Sequence, residues 1–391
     1  MKIFNRIMKL DVPAGQSVFL WGARSTGKST FLRNKFPDSI YIDLLKTDEY
    51  TQLMVKPWLL RERLSAENPE RLVQPVIIDE VQKIPALLDE VHWLIENKGI
   101  AFILCGSSAR KLKRSGVNLL GGRAWNYAFY PLVYKEIPDF DLLRAFNHGL
   151  LPKYYLTEQI GRALRAYVGI YLKEEIQAES LVRNLPGFAK FLDIAGFCNG
   201  ELVDYTNIAR DCGIDAKTVK AYYQILVDTL VAYAIEPFTH KLKRELIVAT
   251  PKYYLFDVGV SNYLAKKTIT SLNGFDAGNS FEHFILMEIM AYIGMNGLDC
   301  TVNFWRTKTQ LEVDFVLNNG KVAIEVKLSE DPFAKDLKGL LAFCADYRPK
   351  HALVVCNSRY KRRIEIESGV VYDILPWRDF LDNLWAGKYF C

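Results

Sequence analysis

The sequence predicts an α/β chain in three parts, on three observations. Residues 1–140 alternate short apolar runs with segments long enough for helices, residues 141–268 turn mainly helical, and residues 269–391 open on an apolar helix and return to strands. The first pattern points to a mostly parallel sheet covered on both faces. The second has helix–turn–helix form followed by two strands, and the third is a separate, smaller α/β unit. With 391 residues, 50% hydrophobic and 24% charged, the chain is long enough for two or three domains with cores of their own.

The first part contains the runs SVFLW (17–21), SIYIDL (39–44), PVIIDE (75–80) and AFILCG (101–106), each bounded by turn or polar residues. Directly after the first run, GARSTGKST (Gly22–Thr30) fits the pattern GxxxxGK[ST], and FLRNKF behind it reads as a helix start. Glycines in this context let successive backbone N–H groups point inward around phosphate oxygens at the positive end of a helix. The reading assigns Gly22, Ala23, Arg24, Ser25, Thr26, Gly27, Lys28, Ser29 and Thr30 to a nucleoside triphosphate such as ATP. Lys28 reaches the β- and γ-phosphates and Ser29 the Mg²⁺; the bland alternative is a chance match on a glycine-containing turn. Asp79, ending the third run, suits the hydration shell of Mg²⁺. Glu80 beside it suits a base for the attacking water. Ser107 and Ser108, after the fourth run, stand either as a γ-phosphate contact or as a helix N-cap. Arg123 in GGRAW reads as a phosphate or neighbouring-subunit contact, or as an ordinary surface arginine.

These segments, with IIDEVQKIPALL, FILCGSSARKL, GGRAWNYAFYPLVYKEI, KYYLFDVGV and FEHFILMEI…FWRTKTQLEVDFVL…IEVK, occur in order. Together they resemble the predicted prokaryotic AAA-type ATPases that carry a C-terminal domain of unknown function. The resemblance covers nearly the whole chain. It implies an AAA-type P-loop NTPase core (1–140), a winged-helix middle (141–268) and a C-terminal domain similar to PD-(D/E)xK nucleases, hence restriction-endonuclease-like (269–391).

In the middle part, a helix is expected near 205–212, a turn at Gly213 and a longer helix near 216–230. Ala234–Glu236 and ELIVATPKYYLF then form the strands of a wing. The second helix of such a pair is the one that enters a major groove. Lys217 and Lys220 lie on it, and Lys241, Lys243 and Arg244 lie at the wing tip, where they can neutralise phosphates. Winged helices serve in DNA contact and as protein-binding scaffolds, and both are expectations here.

The C-terminal part holds a hairpin in which Leu311, Val313, Phe315 and Leu317, then Val322, Ile324, Val326 and Leu328, alternate with other residues around Asn318-Asn319-Gly320. If Asn319 and Gly320 are the central turn residues, Asp314 falls opposite Glu325 and Glu312 opposite Lys327. The second pair is a sensible ion pair, whereas the first repels. A divalent cation, Mg²⁺ or Mn²⁺, held by Asp314 and Glu325 reconciles them. Lys327, on the same face, then stabilises developing phosphorane charge or positions the water. A solvated polar face is the milder alternative. The resemblance adds Glu282, on the otherwise apolar helix near 280–294, as a further catalytic carboxylate, and Ile285, Leu286 and Ile289 at helical spacing turn it inward.

Composition excludes some classes. No run reaches the roughly 18 apolar residues of a membrane helix. The N-terminus has no long apolar core before a small-residue cleavage site. Seven cysteines with no CxxC pair read as reduced thiols, so the expectation is a cytoplasmic protein with no membrane partner. A net charge of +5 permits a nucleic-acid partner without requiring one. Three readings compete: an ATP-driven DNA-processing enzyme that cuts, a nucleotide-gated DNA-binding module, and a regulatory scaffold whose nuclease-like domain does not cut. A homo-oligomer is an open expectation, since AAA-type proteins often form rings.

Overall fold

The computed structural model describes residues 4–13, 16–107, 124–172, 184–239, 250–366 and 369–390. Ser108, Arg123, Lys241, Lys243 and Arg244 lie outside them. The chain divides into two compact units. One comprises residues 1–136, 151–153 and 225–231; the other comprises 137–150, 154–224 and 232–391.

The first unit is built on a five-stranded sheet of β1 (Ser17–Trp21), β2 (Tyr41–Asp43), β3 (Val76–Asp79), β4 (Phe102–Gly106) and β5 (Ala124–Ala128), in the order β2-β3-β4-β1-β5. All four neighbouring pairs are parallel. β1, β3 and β4 are buried along their whole length, which is why they read as unbroken apolar runs rather than as alternation. The helices between them follow the same economy. The helix Leu87–Lys98 buries Leu87, Leu88, Val91, Leu94 and Ile95, a stripe at helical spacing. Asp89 and Glu90 in its first turn and Lys98 in its last complement the helix dipole. The stripe shares a core with Leu53, Leu60, Leu64, Ile78 and Leu104.

The second unit contains an eight-stranded sheet. Its strands are β6 (Ala232–Pro237), β7 (Lys252–Leu255), β8 (Val302–Arg306), β9 (Glu312–Leu317), β10 (Val322–Lys327), β11 (His351–Cys356), β12 (Arg362–Glu365) and β13 (Val371–Pro376). They run in the order β12-β13-β11-β10-β9-β8-β6-β7. Ahead of β6 come the helices Leu185–Phe197, Tyr205–Cys212 and Ala216–Asp228. Asp204 caps the second of these by accepting from the N–H groups of Thr206 and Asn207, and Gly213 ends it at φ +68°. Phe188 and Phe191 pack against Tyr222, and Tyr223 stacks on Tyr253 of β7 with ring centroids 4.0 Å apart. Because β6 pairs with β8 through Glu236 and Asn303, the sheet runs through residues on both sides of position 268.

The β9–β10 hairpin has the expected register, with Val322 opposite Leu317 and Ile324 opposite Phe315. Lys321 N–H donates to Asn318 across the turn, and Asn319 and Gly320 both have positive φ, as a type I′ turn requires. Among the described residues no helix is long and apolar enough to cross a membrane.

Candidate functional site

The carboxyl ends of β1, β3 and β4 converge, and the motif residues sit there. Gly22 must be glycine, because a Cβ would lie 2.2 Å from the Phe129 carbonyl oxygen. Gly27, at φ +95°, opens the helix Lys28–Lys35, and Ser25 takes a left-handed φ of 63°. The Lys28 ammonium is buried and donates to the carbonyls of Gly22 at 2.7 Å and Ala23 at 3.1 Å, while Thr26 Oγ1 donates to Ala23 as well. Arg24 Nε lies 3.7 Å from Glu80 Oε1. Thr30, with Phe4, Met8, Gly27, Phe31 and Asn34, lines a cavity of about 460 Å³ alongside this loop.

Asp79 is the hub. Ser29 Oγ donates to its Oδ2 at 2.6 Å, so two hard oxygen donors suited to a magnesium ion already face each other. Tyr41 Oη donates to the same Oδ2 at 2.5 Å, and Cys105 Sγ to Oδ1 at 2.6 Å. Burial, then the Asp79 charge, raises both the Tyr41 phenol and the Cys105 thiol, so both stay protonated donors. Glu80 is buried in a left-handed conformation, φ 61° and ψ 40°, which a non-glycine residue holds at a cost of order 1–3 kcal/mol. Gln82 Nε2 donates to Glu80 Oε2 at 2.5 Å and to Ser107 Oγ at 3.1 Å. Ser107 is thus joined to Glu80 through Gln82.

Sequence reasoning missed Tyr41, Cys105, Gln82 and Arg6. Gln82 had a local signal, two residues beyond Glu80. Arg6 had none. Its side chain is buried, pairs with Glu136 at 2.9 Å, and donates to the carbonyls of Thr26 in the phosphate loop and of Tyr130 and Pro131.

The second unit gathers the other predicted residues. Asp314 and Glu325 are buried at adjacent positions, but the ladder ends at Phe315 and Ile324, and Asp314 Oδ2 accepts from the Val326 N–H at 2.7 Å. Lys327 Nζ lies 2.6 Å from Glu325 and 3.9 Å from Asp314, so an ammonium group already stands between the opposed carboxylates. The expected Glu312–Lys327 pair is corrected by the structure. Glu312 instead pairs with Arg306, its register partner on β8, at 2.7 Å and with Lys252 of β7 at 2.5 Å. Lys252 was also missed; it is buried, and its Nζ lies 3.9 Å from Glu282. Tyr254, two residues on, donates to Glu282 at 2.6 Å.

Burial, then the Asp314 charge, raises Glu325 well above the usual carboxylate range. Burial opposes the charge on Lys327 and Lys252, but their carboxylate neighbours outweigh it and raise both. Glu325 Oε2 is buried and accepts no hydrogen bond, an orphaned oxygen that a cation or a donor would satisfy. Against this, among the described residues no group of three or more His, Cys, Asp or Glu is arranged to hold a metal ion. The pair Asp314 and Glu325 suits a cation in its chemistry, without a preformed three-ligand shell.

Glu282 and His283 make a testable pH pair. Burial, then Asp314, raises Glu282 from 4.5 to about 7. Burial lowers His283 from 6.5 to about 4 while its ring bridges Leu255 O and Asn199. A raised carboxyl loses stability as pH climbs from about 4.5 to about 7, and a lowered histidine loses it as pH falls from 6.5 to about 4, so the slopes oppose. Glu282→Gln removes the first. Relative to the wild type, the metal-free variant is expected to gain stability as pH rises between about 4.5 and 7, by of order 2 to 3 kcal/mol, in urea titrations. A profile parallel to the wild type's contradicts this assignment.

Three family models match the chain. An AAA domain covers residues 14–138, a domain of unknown function (DUF8612) covers 139–271, and a second domain of unknown function (DUF4143) covers 277–379. No curated protein matches. Among solved structures, a Walker-type ATPase of Pyrococcus abyssi is 17% identical, with a TM-score of 0.40, over 63% of this chain and 90% of that one. The loop geometry and the family match agree: residues 14–138 are similar to AAA domains and carry the parts of a P-loop ATPase.

Proposed function

We propose that the protein binds and hydrolyses ATP with magnesium and acts on DNA through its second unit. The observation that carries the reading is the convergence of Lys28, Ser29, Asp79 and Glu80 at the carboxyl edge of a parallel sheet, where such folds bind ligands. The phosphates occupy the loop Gly22–Ser29, and Lys28 exchanges the Gly22 and Ala23 carbonyls for β- and γ-phosphate oxygens. The base enters the adjacent cavity beside Phe31. Magnesium, when held through Ser29 and Asp79, neutralises phosphate charge. Glu80 takes a proton from the attacking water as its oxygen bonds to the γ-phosphorus and the bond to the ADP oxygen breaks. The strained Glu80 backbone and the Gln82 amide fix where that carboxylate points.

In the second unit, the two short helices, the turn at Gly213 and the β6–β7 pair support a winged-helix reading. Lys217, Lys220 and Gln224 are exposed at helical spacing on the face such a module presents to DNA. The Asp314, Glu325 and Lys327 arrangement, with Glu282 beside it, supports a PD-(D/E)xK-like site that takes Mg²⁺ or Mn²⁺. One observation favours a second reading, a nuclease-like domain that binds or regulates without cutting. Lys327 already lies against both carboxylates a cation would need, 2.6 Å from Glu325 and 3.9 Å from Asp314.

One assay separates the two: ATP turnover and DNA cleavage by purified protein, with several DNA forms, in Mg²⁺ or Mn²⁺. Under the cutting reading, DNA stimulates turnover and Asp314→Asn abolishes cleavage. In nucleotide-free protein, the same variant loses the metal-dependent rise in melting temperature. If the wild-type protein gives neither cleavage nor a metal-dependent rise, the non-cutting reading stands. If DNA neither binds nor stimulates turnover, the DNA assignment falls.

A further inference from the structure

We propose that Tyr41 is a positioning residue for the magnesium ion of the nucleotide site, acting through Asp79; the inference rests on the ATP reading above. Its basis is the β2–β3 register. Asp43 lies opposite Asp79, so Tyr41, two residues earlier on the same face of β2, reaches diagonally to that carboxylate. The phenol donates to Oδ2, the oxygen that also accepts from Ser29. On the other oxygen, Oδ1 accepts from the Glu80 N–H at 3.1 Å and from Cys105. Four donors on one carboxylate leave it a single orientation, with Oδ2 turned to Ser29.

The Tyr41 ring is itself clamped. The Arg33 guanidinium sits over its face, 3.8 Å from the centroid, and Arg33 also lies 3.7 Å from Asp43. A cation on the face of a phenol draws electron density from the ring and makes the hydroxyl a better donor. A tyrosine placed only for packing does not need its hydroxyl aimed at the one acidic oxygen shared with Ser29. Outer-shell partners of this kind orient metal-binding carboxylates, and their loss weakens metal affinity about 10- to 100-fold.

Tyr41→Phe removes one oxygen and keeps the ring beneath Arg33. The experiment saturates the protein with a non-hydrolysable ATP analogue, titrates Mg²⁺, and reads half-saturation by calorimetry and by the rise in melting temperature. The half-saturating Mg²⁺ concentration should rise about tenfold, while affinity for the analogue in EDTA stays unchanged. In an Asp79→Asn background, Tyr41→Phe should add no further shift, because the partner it acts through is gone. A half-saturation within about twofold of wild type overturns the inference and leaves the ATP reading intact. So does a full shift that persists in the Asp79→Asn background. If the wild-type protein binds no analogue at all, the ATP reading falls and takes the inference with it.

Discussion

Lys28→Ala is expected to lower ATP turnover by at least about a hundredfold, the usual loss when a donor aimed at developing transition-state charge is removed. The ammonium is buried, donates to the Gly22 and Ala23 carbonyls, and can swing onto phosphate oxygens in the same loop. Nothing else among the described residues of the loop Gly22–Thr30 offers a buried cation there; Arg24 lies toward Glu80. The fold should survive, because losing the charge leaves two carbonyls short of a donor, not an unpaired ion. Turnover measured beside an unchanged melting temperature checks it. Turnover near wild type would mean the loop does not hold triphosphate in the assigned way.

Arg6→Met is expected to destabilise the first unit by up to about 3–5 kcal/mol, since the buried Glu136 carboxylate loses its ion partner and keeps the N–H groups of Ile7 and Val133. The Arg6 and Glu136 side chains are 6% and 0% exposed, so water cannot replace the lost partner. The damage should reach the nucleotide, because the same guanidinium ties the Thr26 carbonyl to those of Tyr130 and Pro131 and its plane covers the Phe129 ring. Pairing it with Glu136→Gln should recover much of the stability, because the amide removes the buried charge while its oxygen still accepts from a backbone N–H such as that of Ile7. ATP affinity should recover less, because the tie to Thr26 is still missing. Urea midpoints and nucleotide titrations of the single and double variants separate the two effects. Equal recovery of both would contradict a role for Arg6 in shaping the loop.

What could be read from the sequence was what local physics determines. The three buried strands of the first sheet show as apolar runs, and the phosphate loop shows because a Cβ at Gly22 meets backbone and Gly27 needs positive φ. The Asp314–Glu325 apposition was legible because Asn319-Gly320 fixes the hairpin turn and hence the register. Residues that reach the sites across the sheet were not legible. Tyr41 meets Asp79 only because β2 lies beside β3, and a parallel neighbour leaves no mark in either strand. Arg6 and Glu136 are separated by most of the first unit's chain. Lys252 reads as a stray charge in a strand until β7 is placed in the sheet. The hairpin also shows where register alone misleads. Geometry put Glu312 across from Lys327, but the ladder stops three residues earlier, Asp314 takes a backbone donor, and each charge finds a closer partner.

The most direct test of the central claim, that this P-loop unit hydrolyses ATP with Glu80 as the base, is ATP binding and single-turnover hydrolysis by Glu80→Gln. Gln is nearly isosteric, keeps a partner for Gln82, and cannot accept the water's proton. The account predicts ATP bound about as tightly as by wild type and hydrolysed at least about a hundredfold more slowly, so that ATP is trapped. Hydrolysis at the wild-type rate would contradict it.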